Sequence, residues 1–168
     1  MSEIISRVKS MLQEKNLYFS KKPILIGGMA MEYYGVRKTG VDIDLIICDE
    51  DYQSLARQYP DKRKDIFGDL GVILEPFEMW RCIMLCDYDF YAKDAVEEDV
   101  VYVASLDRLL LMRVFAMDFP KHMDDLKLLK DYYFRNFLNE EYLETQVKHL
   151  KSYEQSGGII WGGKYIGE

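Results

Sequence analysis

The sequence predicts an α+β fold in which a sheet-forming first part is followed by a helical C-terminal part. Residues 1–104 hold short apolar runs set off by turn residues, at Ile24–Ile26, Leu45–Ile47, Val72–Leu74, Met79–Tyr91 and Val100–Val103. From Ser105 to about residue 155 the apolar residues recur at helical spacing instead. The chain has 168 residues, 49% of them hydrophobic, which suffices for one sizeable core. The expected divisions are an α/β core over 1–104, a helical part packed on it over 105–155, and a glycine-rich tail over 156–168.

Ser2 is placed to cap a first helix, with Ile4, Ile5, Val8, Met11 and Leu12 on its inner face and Arg7, Lys9 and Glu14 outward. Pro23 to Glu50 comes next: the run Ile24–Ile26, the pair Gly27-Gly28, a short helix expected from Met29, then Asp42-Ile43-Asp44 heading a second apolar run. Asp49 to Tyr59 reads as a helix with Leu55 and Ala56 inward, stopped by Pro60. The charged run Asp61 to Asp65 reads as a solvated helix or loop, with substrate contact as its alternative.

Val72 to Leu74 reads as a short strand and Met79 to Tyr91 as a longer one. In the longer strand Arg81, Ile83, Leu85, Asp87 and Asp89 share one face, opposite Cys82, Met84 and Cys86. After a strand at Val100 to Val103, Ser105 caps an apolar helix through Leu109, Val114 and Phe115 that Pro120 ends. Helices over about 122–133 and 140–153 complete the helical part. The tail carries Ile159, Ile160 and Trp161, whose exposure to water is costly, so docking on the body or pairing with another subunit is expected over disorder.

The net charge of −7 is unevenly spread. Residues 1–40 hold seven Lys or Arg against three acids, residues 41–107 six against seventeen, and residues 108–168 nine against nine. Such a chain is a poor general binder of polyanions, although a local basic patch can still seat a nucleic-acid end. Glu3, Arg7 and Lys9 interrupt any apolar start, and Cys48, Cys82 and Cys86 are odd in number. On one strand Cys82 and Cys86 would lie roughly 13 Å apart, too far for a disulfide. A reduced, cytoplasmic protein without a membrane span is expected.

Chemistry concentrates in Pro23 to Glu50. Gly27 and Gly28 let the backbone approach a ligand that a Cβ would hold off, and amides at the start of the following helix favour anions such as phosphate. Asp42 and Asp44, two apart on a strand, point to one face with Cα atoms roughly 6.5–7 Å apart, while Ile43 and Leu45 face a core. Two crowded carboxylates call for a cation, and hard oxygen donors suit Mg²⁺ or Mn²⁺. Arg37 and Lys38 precede the acidic strand, and one of them is expected to neutralise a triphosphate. Thr39 either bonds a phosphate or shapes the turn with Gly40. His122 and His149 lack partners at zinc spacing.

Ile26-Gly27-Gly28, a spacer of thirteen residues and Asp42-Ile43-Asp44-Leu45 together resemble the signature of the polymerase-β superfamily of nucleotidyltransferases. Ala30, Tyr34-Gly35, Arg37 and Thr39 in the spacer are similar to a branch of small bacterial members that includes abortive-infection type IV toxins. The resemblance implies a mixed twisted sheet of the polymerase-β-like nucleotidyltransferase fold. It also implies metal-dependent transfer of a nucleoside monophosphate from a nucleoside triphosphate to an acceptor hydroxyl. The alternative is a catalytically silent module of the same fold, serving in binding or regulation in a toxin–antitoxin-like system.

The resemblance further implies a third carboxylate on a strand beside the Asp-x-Asp strand, which takes the proton of the attacking hydroxyl. Asp87 is expected in that role and as a metal ligand with Asp42 and Asp44; Asp89 is the alternative. Ser105-Leu106-Asp107 through Arg113 looks like the family's helix that returns a basic residue to the nucleotide, with arginine where lysine is more usual. Lys121 followed by Asp124-Asp125-Leu126 resembles the basic-then-acidic pattern opening the next helix, or else forms a surface ion pair. The acceptor, whether small molecule, tRNA or protein, and the base are left open, and a homodimer is one option for the assembly.

Overall fold

The computed structural model describes residues 2–66, 68–84, 86–116 and 120–137, together with residues 148, 159–160 and 164–165. The chain forms two compact units, Met1–Leu129 and Lys130–Glu168.

In the first unit, helix α1 (Glu3–Glu14) starts where Ser2 Oγ accepts from the Ile5 N–H at 3.2 Å, and buries Ile4, Ile5, Val8 and Leu12. Strand β1 (Ile24–Leu25) runs straight into helix α2 (Gly27–Tyr33), which therefore begins two residues before the expected Met29. Met29, Ala30 and Met31 of α2 are fully buried. Strand β2 (Ile43–Ile46) follows, then helix α3 (Asp49–Gln58), whose first turn carries three acids that suit its dipole. One of them, Asp51, ties down the loop before β1 by accepting from the Ser20 N–H at 2.9 Å.

The charged run after Pro60 departs from its expectation. A 3₁₀ turn over Pro60–Lys62 leads into strand β3 (Arg63–Ile66), the outermost strand of the sheet. Charged side chains suit an edge strand because they oppose pairing with another chain. Strands β4 (Asp69–Leu74) and β5 (Phe77–Trp80) form a hairpin in register Leu74↔Phe77 and Gly71↔Trp80.

The long strand expected over Met79–Tyr91 is not formed. The chain leaves β5 at Trp80 and makes a separate hairpin of β6 (Cys82–Ile83) and β7 (Cys86–Asp87), then helix α4 (Tyr88–Ala92). Met84, at φ 51° in the left-handed region, makes the turn that the alternating pattern concealed. Cys82 and Cys86 thus lie on opposite strands, offset in register and facing opposite ways, and both are free thiols. Strands β8 (Val96–Glu97) and β9 (Tyr102–Val103) complete the sheet.

Among the described residues the main sheet has the order β3-β4-β5-β2-β1-β9-β8. It is mixed: β2 is antiparallel to β1 and parallel to β5, with Asp44 paired in register to Glu78. Ile43, Leu45, Phe77 and Met79 are fully buried in the core. Helix α5 (Leu106–Phe115) is capped by Ser105, whose Oγ accepts from the Arg108 N–H, and gives Leu109 and Met112 to that core. Its residues lie within the first unit.

Helix α6 (Pro120–Phe137) opens on Pro120, so that proline starts a helix and its fixed φ suits the first helical position. In the second unit, Asn136 Nδ2 donates to the Tyr132 carbonyl along α6, and strands β10 (Ile159–Ile160) and β11 (Lys164–Tyr165) pair antiparallel. The expected helix over 140–153 and most of the tail, including Trp161, lie outside the described residues. No helix among the described residues is long and apolar enough to cross a membrane.

Candidate active site

The turn from β1 into α2 sets the Gly27-Gly28 loop against the acidic strand. Ile26 N–H donates to the Asp44 carbonyl at 3.0 Å, so the loop begins alongside that aspartate. Gly27 has φ 65°, and a Cβ there would fall on Asp44 Oδ2. A Cβ at Gly28 would lie 2.7 Å from Thr39 Oγ1 and 3.5 Å from Arg37 Nη2. Gly27 opposes a side chain by backbone conformation and by contact, whereas a Cβ at Gly28 meets chiefly the Thr39 hydroxyl. Since α2 has only seven residues, its dipole is a minor part of the loop's positive potential.

The loop, the acidic strand and two basic helices enclose a cavity of about 470 Å³. Its charged lining comprises the carboxylates Asp42, Asp44, Asp69 and Glu78 and the basic residues Arg37, Lys64, Arg113 and Lys121, with Thr39 and His122 among its polar groups. A surface hollow of about 570 Å³ near Lys15, Tyr59 and Lys62 has neither the glycine loop nor the carboxylate pair.

Glu78 is the residue that sequence reasoning missed. It stands directly opposite Asp44 on the parallel neighbour of β2, where strands lie about 4.8 Å apart. The available signal was the alternation Phe77-Glu78-Met79 straight after Pro76, which reads as a strand starting two residues before the expected Met79.

Asp87 and Asp89 are not brought to this cluster, which corrects both assignments. Asp87 ends β7, in a sheet separate from that of β2, and its Oδ1 accepts from the Phe90 N–H at 3.1 Å to cap α4; Asp89 lies in α4 and is exposed. Lys38 is also corrected: its Nζ pairs with Glu32 Oε1 at 2.9 Å on the surface, with the side chain 91% exposed and outside the cavity. Of these two basic residues, Arg37 lines the cavity.

Asp44 feels its neighbours. Burial, then the charges of Glu78 and Asp42, push Asp44 up to about 6, against the pull of Arg113 and Lys121. Opposite them lies a buried network. Arg37 Nε and Nη2 donate to Asp125 Oδ1 and Oδ2 at 2.7 and 3.1 Å, and Arg113 Nη2 bonds Oδ2 at 3.0 Å. Arg113 Nη1 lies 3.0 Å from His122 Nδ1, and because a guanidinium only donates, that imidazole nitrogen accepts. Burial, with Arg113 and Lys121 nearby, holds His122 below its usual range and favours this neutral form. Burial likewise lowers Arg113, whose Nε has no partner.

The donors fit a hard divalent cation in kind: four carboxylates, Asp42, Asp44, Asp69 and Glu78, line one cavity, and the charges of Glu78 and Asp42 oppose that of Asp44. Among the described residues, however, no three His, Cys, Asp or Glu side chains are already gathered to hold an ion. No protein-family model matches the chain, and no curated protein matches it either.

Proposed function

We propose that the chain is a metal-dependent nucleotidyltransferase that moves a nucleoside monophosphate from a nucleoside triphosphate to an acceptor hydroxyl. The observation that carries this reading is that the Asp44–Glu78 pair, with Asp42, lines one cavity together with the Gly27-Gly28 loop, against which Asp44 lies, and with Arg37, Arg113 and Lys121. The basic residues suit phosphates and the carboxylates suit divalent cations.

In this reading Arg37, Arg113 and Lys121 bind the β- and γ-phosphates beside Gly27 and Gly28. Asp42, Asp44 and Glu78 are the residues that would hold Mg²⁺ or Mn²⁺, which when bound neutralises developing phosphate charge and acidifies a nearby hydroxyl. The acceptor oxygen attacks the α-phosphorus, the bond from that phosphorus to the oxygen bridging the β-phosphate breaks, and pyrophosphate leaves. Glu78, beside Asp44 and facing the cavity, accepts the hydroxyl proton.

Incubating the protein and Mg²⁺ or Mn²⁺ with α-labelled nucleoside triphosphates and cell lysate tests this, by asking which fraction, small molecule, RNA or protein, becomes labelled. Transfer of label that Asp44→Asn abolishes is expected. The alternative is a catalytically silent binding or regulatory module of the same fold. Tight, metal-dependent binding of a triphosphate without turnover would select it.

A further inference from the structure

Asp125 is only 4% exposed, yet it carries a negative charge at the edge of a cavity read here as binding phosphate. Its partners explain the position. Its two oxygens hold Arg37 through a side-on fork and take Arg113 as well, so one buried carboxylate keeps two guanidinium groups side by side. Without it the two like charges, close enough for Arg37 to depress Arg113, repel each other.

The fork also fixes where Arg37 points. Asp125 takes Nε and one N–H of Nη2, and the Lys38 carbonyl accepts from Nη1 at 2.9 Å. A guanidinium has five N–H groups, so one remains unused on each Nη. Both Nη atoms face the glycine loop, 3.5 and 3.6 Å from where a Gly28 Cβ would stand. A planar two-nitrogen tip beside a loop without side chains matches the oxygens of a phosphate.

We propose that Asp125 is a positioning residue: it aims the tip of Arg37, with Arg113 held alongside, at the Gly27-Gly28 loop, where that tip receives a terminal phosphate of the triphosphate. This rests on the nucleotidyltransferase reading and adds to it the residue that organises the phosphate clamp. Asp125 touches no substrate in this scheme and acts through the arginines.

The sign of one substitution tests it. Removing a negative charge beside an anion site should tighten anion binding if charge alone matters. Calorimetric titration of the full chain with inorganic tripolyphosphate, at constant Mg²⁺, is expected to show the opposite for Asp125→Asn: affinity at least tenfold weaker than wild type. Arg37→Lys keeps the charge but loses the fork and is expected to weaken binding similarly, and the double variant to be no worse than either single one.

Binding by Asp125→Asn as tight as wild type or tighter, or fully additive losses in the double variant, would overturn the role of Asp125 while leaving the phosphate site standing. If circular dichroism shows Asp125→Asn unfolded, Arg37→Lys decides alone, and unchanged affinity overturns the proposal. A wild-type protein that does not bind tripolyphosphate removes the triphosphate reading and this one together.

Discussion

Asp44 and Glu78 are register partners on adjacent parallel strands, β2 and β5, and both face the cavity closed by the Gly27-Gly28 loop. Two carboxylates side by side, with Asp42 close enough to add to the repulsion, are a poor arrangement for stability alone.

Asp44 titrates near 6 in the folded chain against 3.8 ordinarily, so the folded state binds its proton more tightly than the unfolded state. Its contribution is therefore fully present below pH 4 and lost as pH rises through 6, a loss of about 3 kcal/mol in the metal-free protein. Melting temperatures taken from pH 4 to 8 are expected to show this decline in wild type and to lack it in Asp44→Asn. An equal decline in both would assign the slope to other groups.

Replacing Asp42 and Asp44 together by Asn removes the repulsion without removing much volume. The melting temperature at pH 7.5 is expected to hold or rise while metal-dependent triphosphate binding disappears, a trade typical of functional sites. Marked destabilisation of the double variant would make the pair structural.

The two glycines should respond differently to alanine. Gly27→Ala forces a left-handed conformation costing about 1–2 kcal/mol and drives a methyl onto Asp44, so denaturant unfolding should show a large loss. Gly28→Ala meets chiefly the Thr39 hydroxyl, whose end can rotate away. That variant is expected to lose triphosphate affinity with less stability lost than in Gly27→Ala.

The core of the site was legible in the sequence because its signals are local. A glycine pair brings no Cβ atoms wherever it folds, and Ile43 and Leu45 of β2 are fully buried as expected, while Asp42 stands exposed just before that strand and lines the cavity together with Asp44. The third carboxylate was not legible, because it depends on which strand lies beside β2, and the alternating run after Trp80 masked a turn at Met84. Asp124 and Asp125 are adjacent in sequence, but only tertiary packing sorts them. Asp124 pairs with Lys127 at 3.3 Å on the surface, whereas Asp125 turns inward to Arg37, 88 residues away.

Mg²⁺ sheds water reluctantly and takes its remaining ligands from phosphates, and among the described residues no three His, Cys, Asp or Glu side chains are gathered in advance. Calorimetry is expected to show weak Mg²⁺ binding to the bare protein and much tighter binding of Mg²⁺ together with a triphosphate. Strong binding of Mg²⁺ alone would point to a structural metal site instead.

In the proposed site Glu78, not Asp87, stands with Asp44. The direct measurement is the affinity of a non-hydrolysable nucleoside triphosphate analogue with Mg²⁺ for wild type, Glu78→Gln and Asp87→Asn, each checked for folding. The expected result is a loss of tenfold or more for Glu78→Gln and no more than a twofold change for Asp87→Asn. An unchanged affinity in Glu78→Gln with a large loss in Asp87→Asn would contradict it.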